Sequence, residues 1–214
     1  MTASATADDL ARRYHAWRAS ADDERPSGDH ALNPDHAAEF EGLARRPAAV
    51  LVPVIDRPEA TVLLTRRAET LSKHPGQVAF PGGAIDAGET VERAALREAW
   101  EEVGLTEAHV GRVLGPLPRY ASGSGFLVAP ILAIIDPLFE PTPAPAEVAE
   151  TFEVPLGHLM DPANHRVGEG VWRGRVRRYY EMAHGGAGAE HRVWGVTAGI
   201  LRVMHERLYA TEPA

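Results

Sequence analysis

Glu98, Glu101 and Glu102 stand close together in one stretch of the chain. At about 100° per residue they fall within an arc of roughly 100° on one helix face. Three like charges so placed repel one another and weaken the helix unless positive charge sits among them. Hard carboxylate oxygens grouped this way suit Mg²⁺ or Mn²⁺ and not Zn²⁺. The chain has no cysteine, so thiolate ligands, disulfides and a thiol nucleophile are excluded. An acidic cluster alone usually reads as a solvated face. Here it arrives with Gly83, Glu89, Arg97 and Gly104 at fixed offsets. At ordinary residue frequencies such a coincidence arises roughly once in a million. Val91, Ala95, Leu96, Ala99 and Val103 fill the adjoining arc, several of them small enough to let the helix lie close to a sheet.

The stretch from Gly83 to Leu105 resembles the Nudix box, G-x5-E-x7-R-E-U-x-E-E-x-G-U, with U apolar, and Ala99 and Leu105 in the apolar places. The resemblance implies an α/β/α sandwich with a mixed central sheet. In that fold the loop and helix bind a divalent metal, Mg²⁺ or Mn²⁺, at a diphosphate. Carried over, Glu98 and Glu102 are the primary metal ligands, Glu101 a third ligand directly or through water, and the Gly83 carbonyl faces the metal. Arg97 orients the glutamates, paired with Glu89. Metal ions neutralise the diphosphate and lower the pKa of water, and a carboxylate takes the water proton. Glu98, Glu147 and Glu150 are the candidates for that base.

The segment upstream, Leu63 to Gly83, resembles the signature of coenzyme A pyrophosphatases within that family, L-L-T-x-R-[SA]-x3-R-x3-G-x3-F-P-G-G. One position departs: Ser72 stands where the family has arginine, with Lys73 and His74 beside it. Glu147–Leu159 and Trp194–Ala198 also look like this subfamily, so the resemblance runs over about residues 47–210. The implied reaction splits coenzyme A or its thioesters into 3′,5′-ADP and (acyl-)4′-phosphopantetheine. Arg67, Lys73 and His74 are the expected cations for the substrate's phosphates, and Phe80 either stacks on a base or packs. Tyr120, Ser122 and Ser124 lie in a loop to which relatives give a binding role. Two alternatives stand beside this reading. One is a pyrophosphatase of ADP-ribose or another nucleoside diphosphate derivative. The other is a nucleotide-binding module without catalysis, which is expected to lose box glutamates that this chain keeps.

The rest of the chain must position these groups. With 214 residues, 44% of them hydrophobic, it holds one large domain or a domain with an arm. The formal charge of −8 argues against a nucleic-acid-wrapping protein. The longest apolar run, Phe126–Ile135, is too short to span a bilayer, and no signal peptide is visible. A cytoplasmic enzyme acting on a small coenzyme A-like nucleotide is expected, with neither nucleic acid nor membrane as partner. Oligomeric state is not legible.

Residues 1–46 read as a helical arm and 47–214 as the catalytic domain. Leu10, Tyr14 and Trp17 predict a helix over 7–20, a loop follows over 21–36, and a second short helix is expected from His36 to Arg45. Strands are expected at Ala48–Ile55, at an edge or bulged because of Pro53, and at Thr61–Arg67, Val78–Phe80, Val110–Leu117 and Phe126–Ile135. The box helix should run from Thr90 to Val103 and stop at Gly104. The proline-rich Asp136–Ala146 reads as a stiff connection. Phe152–Pro155 reads as a brief extended piece and Gly157–Pro162 as the start of a short helix. Arg173–Met182 and Arg192–Trp194 are expected to pair, and Val196–Tyr209 closes the chain as an amphipathic helix. Trp172, Tyr179, Tyr180 and Trp194 are read as core or sheet residues.

Overall fold

The computed structural model describes residues 5–20, 26–36, 44–172, 174–185 and 191–210. A mixed sheet lies between helices: α1 (Ala7–Ser20) and α4 (Val196–Leu208) on one face, α2 (Val91–Val103) on the other. Its strands are β1 (Ser27–Gly28), β2 (Arg46–Ile55), β3 (Thr61–Arg67), β4 (Val78–Ala79), β5 (Gly82–Ala84), β6 (Val110–Pro116), β7 (Tyr120–Ala121), β8 (Phe126–Ile135) and β9 (Val148–Pro155). The order across it is β1-β7-β8-β2-β3-β4, with β5 on β2, β6 on β8 and β9 on β3. A short helix, α3 (Leu156–Met160), follows β9, and β10 (Arg166–Trp172), β11 (Arg175–His184) and β12 (His191–Trp194) form a second, antiparallel sheet.

Central strands are buried on both faces, and β2 shows how. Ala48, Val52 and Val54 belong to the core under α1 and α4, whereas Ala49, Leu51 and Ile55 belong to the core under α2. Ala94, Ala95 and Ala99 are fully buried, so α2 lies close to the sheet. Thr90 caps α2 by accepting from Arg93 N, and Gly104 ends it at φ 72, a left-handed turn that favours glycine.

Pro53 does not mark an edge. The strand β2 is central, paired in parallel with β8 over residues 46–55. On its other side β5 pairs with Ala48–Val50 and β3 with Val54 and Ile55, so Pro53 falls in the gap where no ladder bond is due. Pro130 uses the same device in β8, between the β7 pairing that ends at Val128 and the β6 pairing that begins at Ile131.

Three further differences have local causes. The brief piece expected at 152–155 is an eight-residue strand, β9, paired along β3 and crosslinked by Arg66–Glu150 and Arg57–Glu153. Strand β10, not anticipated, holds Gly168 and Gly170, where the ring of Tyr179 lies. The expected loop at 21–36 contains β1, parallel to β7, followed by two short 3₁₀ turns. Of the helix expected at 36–45, residues 37–43 lie outside the described residues. No helix among the described residues is long and apolar enough to cross a membrane.

The described residues before β2 are built into the fold. Leu10 and Tyr14 are buried in the core under α4. Asp29 accepts from the Tyr120 hydroxyl (2.7 Å) and from Gly123 N (2.6 Å). The Asn33 side chain bonds both backbone groups of Arg178, at 2.9 and 2.8 Å, as a neighbouring strand would. A Cβ at Gly28 would lie 2.3 Å from the Ala121 carbonyl, so only glycine allows β1 this close to β7.

Candidate active site

The acidic edge of α2 faces β5 and is organised by Arg97. Its guanidinium donates to both oxygens of Glu89 (3.0 Å each), to Glu98 Oε1 (2.9 Å), to Glu101 Oε2 (3.0 Å) and to the Ala84 carbonyl (3.1 Å). One cation therefore locks the loop to the helix, and these partners hold Arg97 firmly charged. The same bonds keep the Glu89 carboxyl below its usual range.

Glu98 and Glu102 are in a different condition. The Glu98 carboxylate lies against the α-carbon of Gly83: a Cβ there would stand 2.5 Å from it. Glu102 is buried, 4% exposed, with Oε2 accepting from Gly82 N at 3.2 Å and Oε1 3.8 Å from Arg67 Nη1. Burial pushes the Glu102 carboxyl up to about 7, opposed by Gly82 N–H and Arg67, with Glu98 and Glu147 adding repulsion. Burial raises Glu98 as well, against the pull of Arg97 and with repulsion from Glu101 and Glu147. Glu101 is the more open acid, its side chain 45% exposed.

Glu147 stands at the end of the proline-rich connection, which is tied to the last turn of α2 by Thr142 N to Val103 O and Ala144 N to Glu102 O, both 2.9 Å. Its charge is felt by both Glu98 and Glu102. Glu150 is not brought to this group: it bonds Arg66 at 3.0 Å and lies 3.5 Å from His191.

On the other side of β5 opens a cleft of about 460 Å³. Gly83 is the junction, since it carries Glu98 on one side and lines the cleft on the other. Arg67, Lys73, His74 and Phe80 all line the same cleft, although Phe80 is only 3% exposed and serves as packed floor. Arg67 joins the two parts, lying beside Glu102 while its Nε is buried with no hydrogen-bond partner among the described residues. His74 takes φ 55, an uncommon left-handed conformation that lets the loop turn before Gly76. Sequence reasoning missed Arg46 and Phe126 in the opposite wall, because only the β2–β8 pairing brings them side by side.

The domain model of the Nudix family matches residues 45–170, more than half of the chain. The chain is 43% identical over 171 residues to an uncharacterized Nudix hydrolase, NudL, of Cronobacter sakazakii, covering 75% of this chain and 81% of that one. A NudL of Klebsiella pneumoniae is 40% identical over 195 residues, with coverage of 81% and 94%. This chain belongs to the Nudix family. Among solved structures it is similar to the Nudix hydrolase RenU of M. smegmatis, at 30% identity and a TM-score of 0.45 over 52% of this chain and 71% of that one. A C. elegans Ap4A hydrolase binary complex gives 22% identity and a TM-score of 0.44, with coverage of 52% and 80%.

Membership makes the chain a hydrolase of pyrophosphate bonds in small nucleotide substrates, in a family that generally uses divalent metal ions. The Nudix helix here fits such an ion in its donor chemistry: hard carboxylates, two of them raised by burial and crowding, beside the Gly83 strand position that only glycine leaves open. As placed, no three acidic or histidine side chains among the described residues gather on one point, because Arg97 holds Glu98 and Glu101 to itself.

Proposed function

We propose that this Nudix enzyme hydrolyses the diphosphate of coenzyme A or its thioesters to 3′,5′-ADP and (acyl-)4′-phosphopantetheine, with Mg²⁺ or Mn²⁺ held by Glu98, Glu102, Glu101 and the Gly83 carbonyl. The observation that carries this reading is the single cleft that runs from Gly83 to Arg67, Lys73 and His74. Among the described residues no acidic side chain lines it, so it suits a polyanion. Coenzyme A carries a diphosphate and a separate 3′-phosphate, and therefore needs cations beyond those at the reacting phosphorus.

A divalent ion in the site supplies charge neutralisation at the diphosphate and a lowered pKa for water. The protein's own groups do the rest. Arg97 keeps the glutamates oriented and Glu89 fixes Arg97. Glu147, exposed and within electrostatic reach of Glu98 and Glu102, is our candidate to take the proton of the attacking water, with Glu98 the other. The water oxygen bonds to one phosphorus as the bridging P–O bond breaks. Arg67 and Lys73 bind the substrate's remaining phosphate, and His74 shapes that wall. The division into an arm, residues 1–46, and a catalytic domain, 47–214, belongs to the same proposal.

Ser72, exposed where related signatures carry arginine, favours keeping a second reading: cleavage of ADP-ribose or another nucleoside diphosphate derivative. Incubation with Mg²⁺ or Mn²⁺ and coenzyme A, acetyl-coenzyme A, ADP-ribose, NADH and dGTP, with products identified by mass, separates the two. Release of 3′,5′-ADP as the fastest reaction is expected. Faster release of AMP from ADP-ribose would replace the first reading by the second, and binding without turnover would leave neither.

A further inference from the structure

The two walls of the cleft differ in chemistry. One carries Arg67, Lys73 and His74, cations reached through β3 and the loop before β4. The other begins where β2 and β8 start side by side, Arg46 opposite Phe126. There the Arg46 guanidinium lies over the Phe126 ring, 4.0 Å from its centre. Arg46 is exposed, Phe126 half-buried, and both line the cleft. No carboxylate pairs with Arg46 among the described residues. A guanidinium that stacks on an aromatic ring leaves its other face for a planar base.

This wall is also built to stay in place. Ser122 Oγ accepts from Phe126 N at 2.9 Å and lies 3.0 Å from Ser124 Oγ. Arg46 N bonds the Gly125 carbonyl at 2.9 Å, and Asp29 of the arm fixes Gly123. The backbone that carries the platform is therefore fixed, which lowers the ordering cost of binding. Ser124 lines the cleft beside it and keeps hydrogen-bonding capacity beyond its bond to Ser122.

We propose that the Arg46–Phe126 stack is the subsite for the purine ring of the substrate, across the cleft from the cationic wall that takes phosphate. The inference rests on the reading of this cleft as the nucleotide site and adds which wall holds the base. Arg46 thereby becomes a specificity-determining residue, selecting substrates with a planar base attached to the diphosphate.

The test measures binding to the full chain by calorimetry in Mg²⁺, without turnover. The probes are 3′,5′-ADP and ribose 3,5-bisphosphate, which lacks the base. Arg46→Ala is expected to weaken 3′,5′-ADP about tenfold and the base-free probe by less than about twofold. Arg46→Lys keeps the charge without the plane and should recover little of the loss. Phe126→Leu should follow Arg46→Ala, with an unchanged thermal midpoint for Arg46→Ala serving as the control for folding. Equal weakening of both probes would reduce Arg46 to a phosphate cation and overturn the proposal. No weakening, or a wild type that binds neither probe, would overturn it too. If AMP, ADP and 3′,5′-ADP bind wild type alike and all weaken in Arg46→Ala, the base subsite stands and the coenzyme A reading falls.

Discussion

Glu102 and Glu153 sit in the same sandwich and have opposite fates. Glu153, on β9, takes two bonds from Arg57, the shorter 2.8 Å, and one from the Thr61 hydroxyl. Burial raises its carboxyl, but Arg57 and Thr61 outweigh burial and hold it below the usual range. Glu102, on α2, is more deeply buried, has one backbone N–H at 3.2 Å and an arginine 3.8 Å away, and is pushed up to about 7. A carboxylate that serves the fold is satisfied by its neighbours. A carboxylate short of positive charge, beside others in the same condition, is what a site for a cationic ligand requires.

The comparison breaks most clearly at the acids themselves. Glu98→Gln and Glu102→Gln should each lower turnover at least about a hundredfold, read by steady-state kinetics. The thermal midpoint of Glu102→Gln should stay or rise, because a poorly paired buried charge is removed. A collapse of the fold in Glu102→Gln would make it a structural acid like Glu153. Gly83→Ala sharpens the point without touching an acid. Its Cβ would meet the Glu98 carboxylate at 2.5 Å, and Gly83 takes no positive φ, so the fold should hold while kcat falls on the order of a hundredfold.

Glu153→Ala should do the reverse, costing about 1–2 kcal/mol in denaturant unfolding with kcat unchanged. The smallest effect concerns His165, whose Nε2 bonds the Leu159 carbonyl at 2.7 Å and whose Nδ1 is buried with no partner among the described residues. Burial lowers its pKa, with His205 and Arg202 nearby acting the same way. The unfolded chain then binds a proton more readily than the native one, so stability is lost as pH falls below the ordinary histidine value of about 6.5. Wild type should lose more stability than His165→Gln between about pH 7.5 and about pH 5.5, measured by denaturant midpoints.

Much of this was legible from residues alone, and for physical reasons. The box helix announces its own ends, since a threonine cap and a left-handed glycine are local requirements met at Thr90 and Gly104. The Arg97–Glu89 lock is what the resemblance to the Nudix box implies, and the two side chains do pair. What escaped the sequence depends on non-local pairing. Pro53 looks like an edge signal until two short partners leave a gap for it. Gly168 and Gly170 weaken β10 as a strand until Tyr179 lies over them. Arg46 and Phe126 are far apart in sequence and meet only because β2 and β8 run parallel in register. Asp29 belongs to no chemical motif, yet it holds the loop that lines the cleft.

The central claim is that the acids of one helix edge, set against Gly83, hold a divalent cation. Titration of Mn²⁺ into the whole protein by calorimetry, with and without 3′,5′-ADP, tests it directly. Saturable uptake by wild type, lost in Glu98→Gln and Glu102→Gln and kept in Glu153→Ala, is the expected result. No uptake, or uptake that survives both glutamine variants, would contradict it.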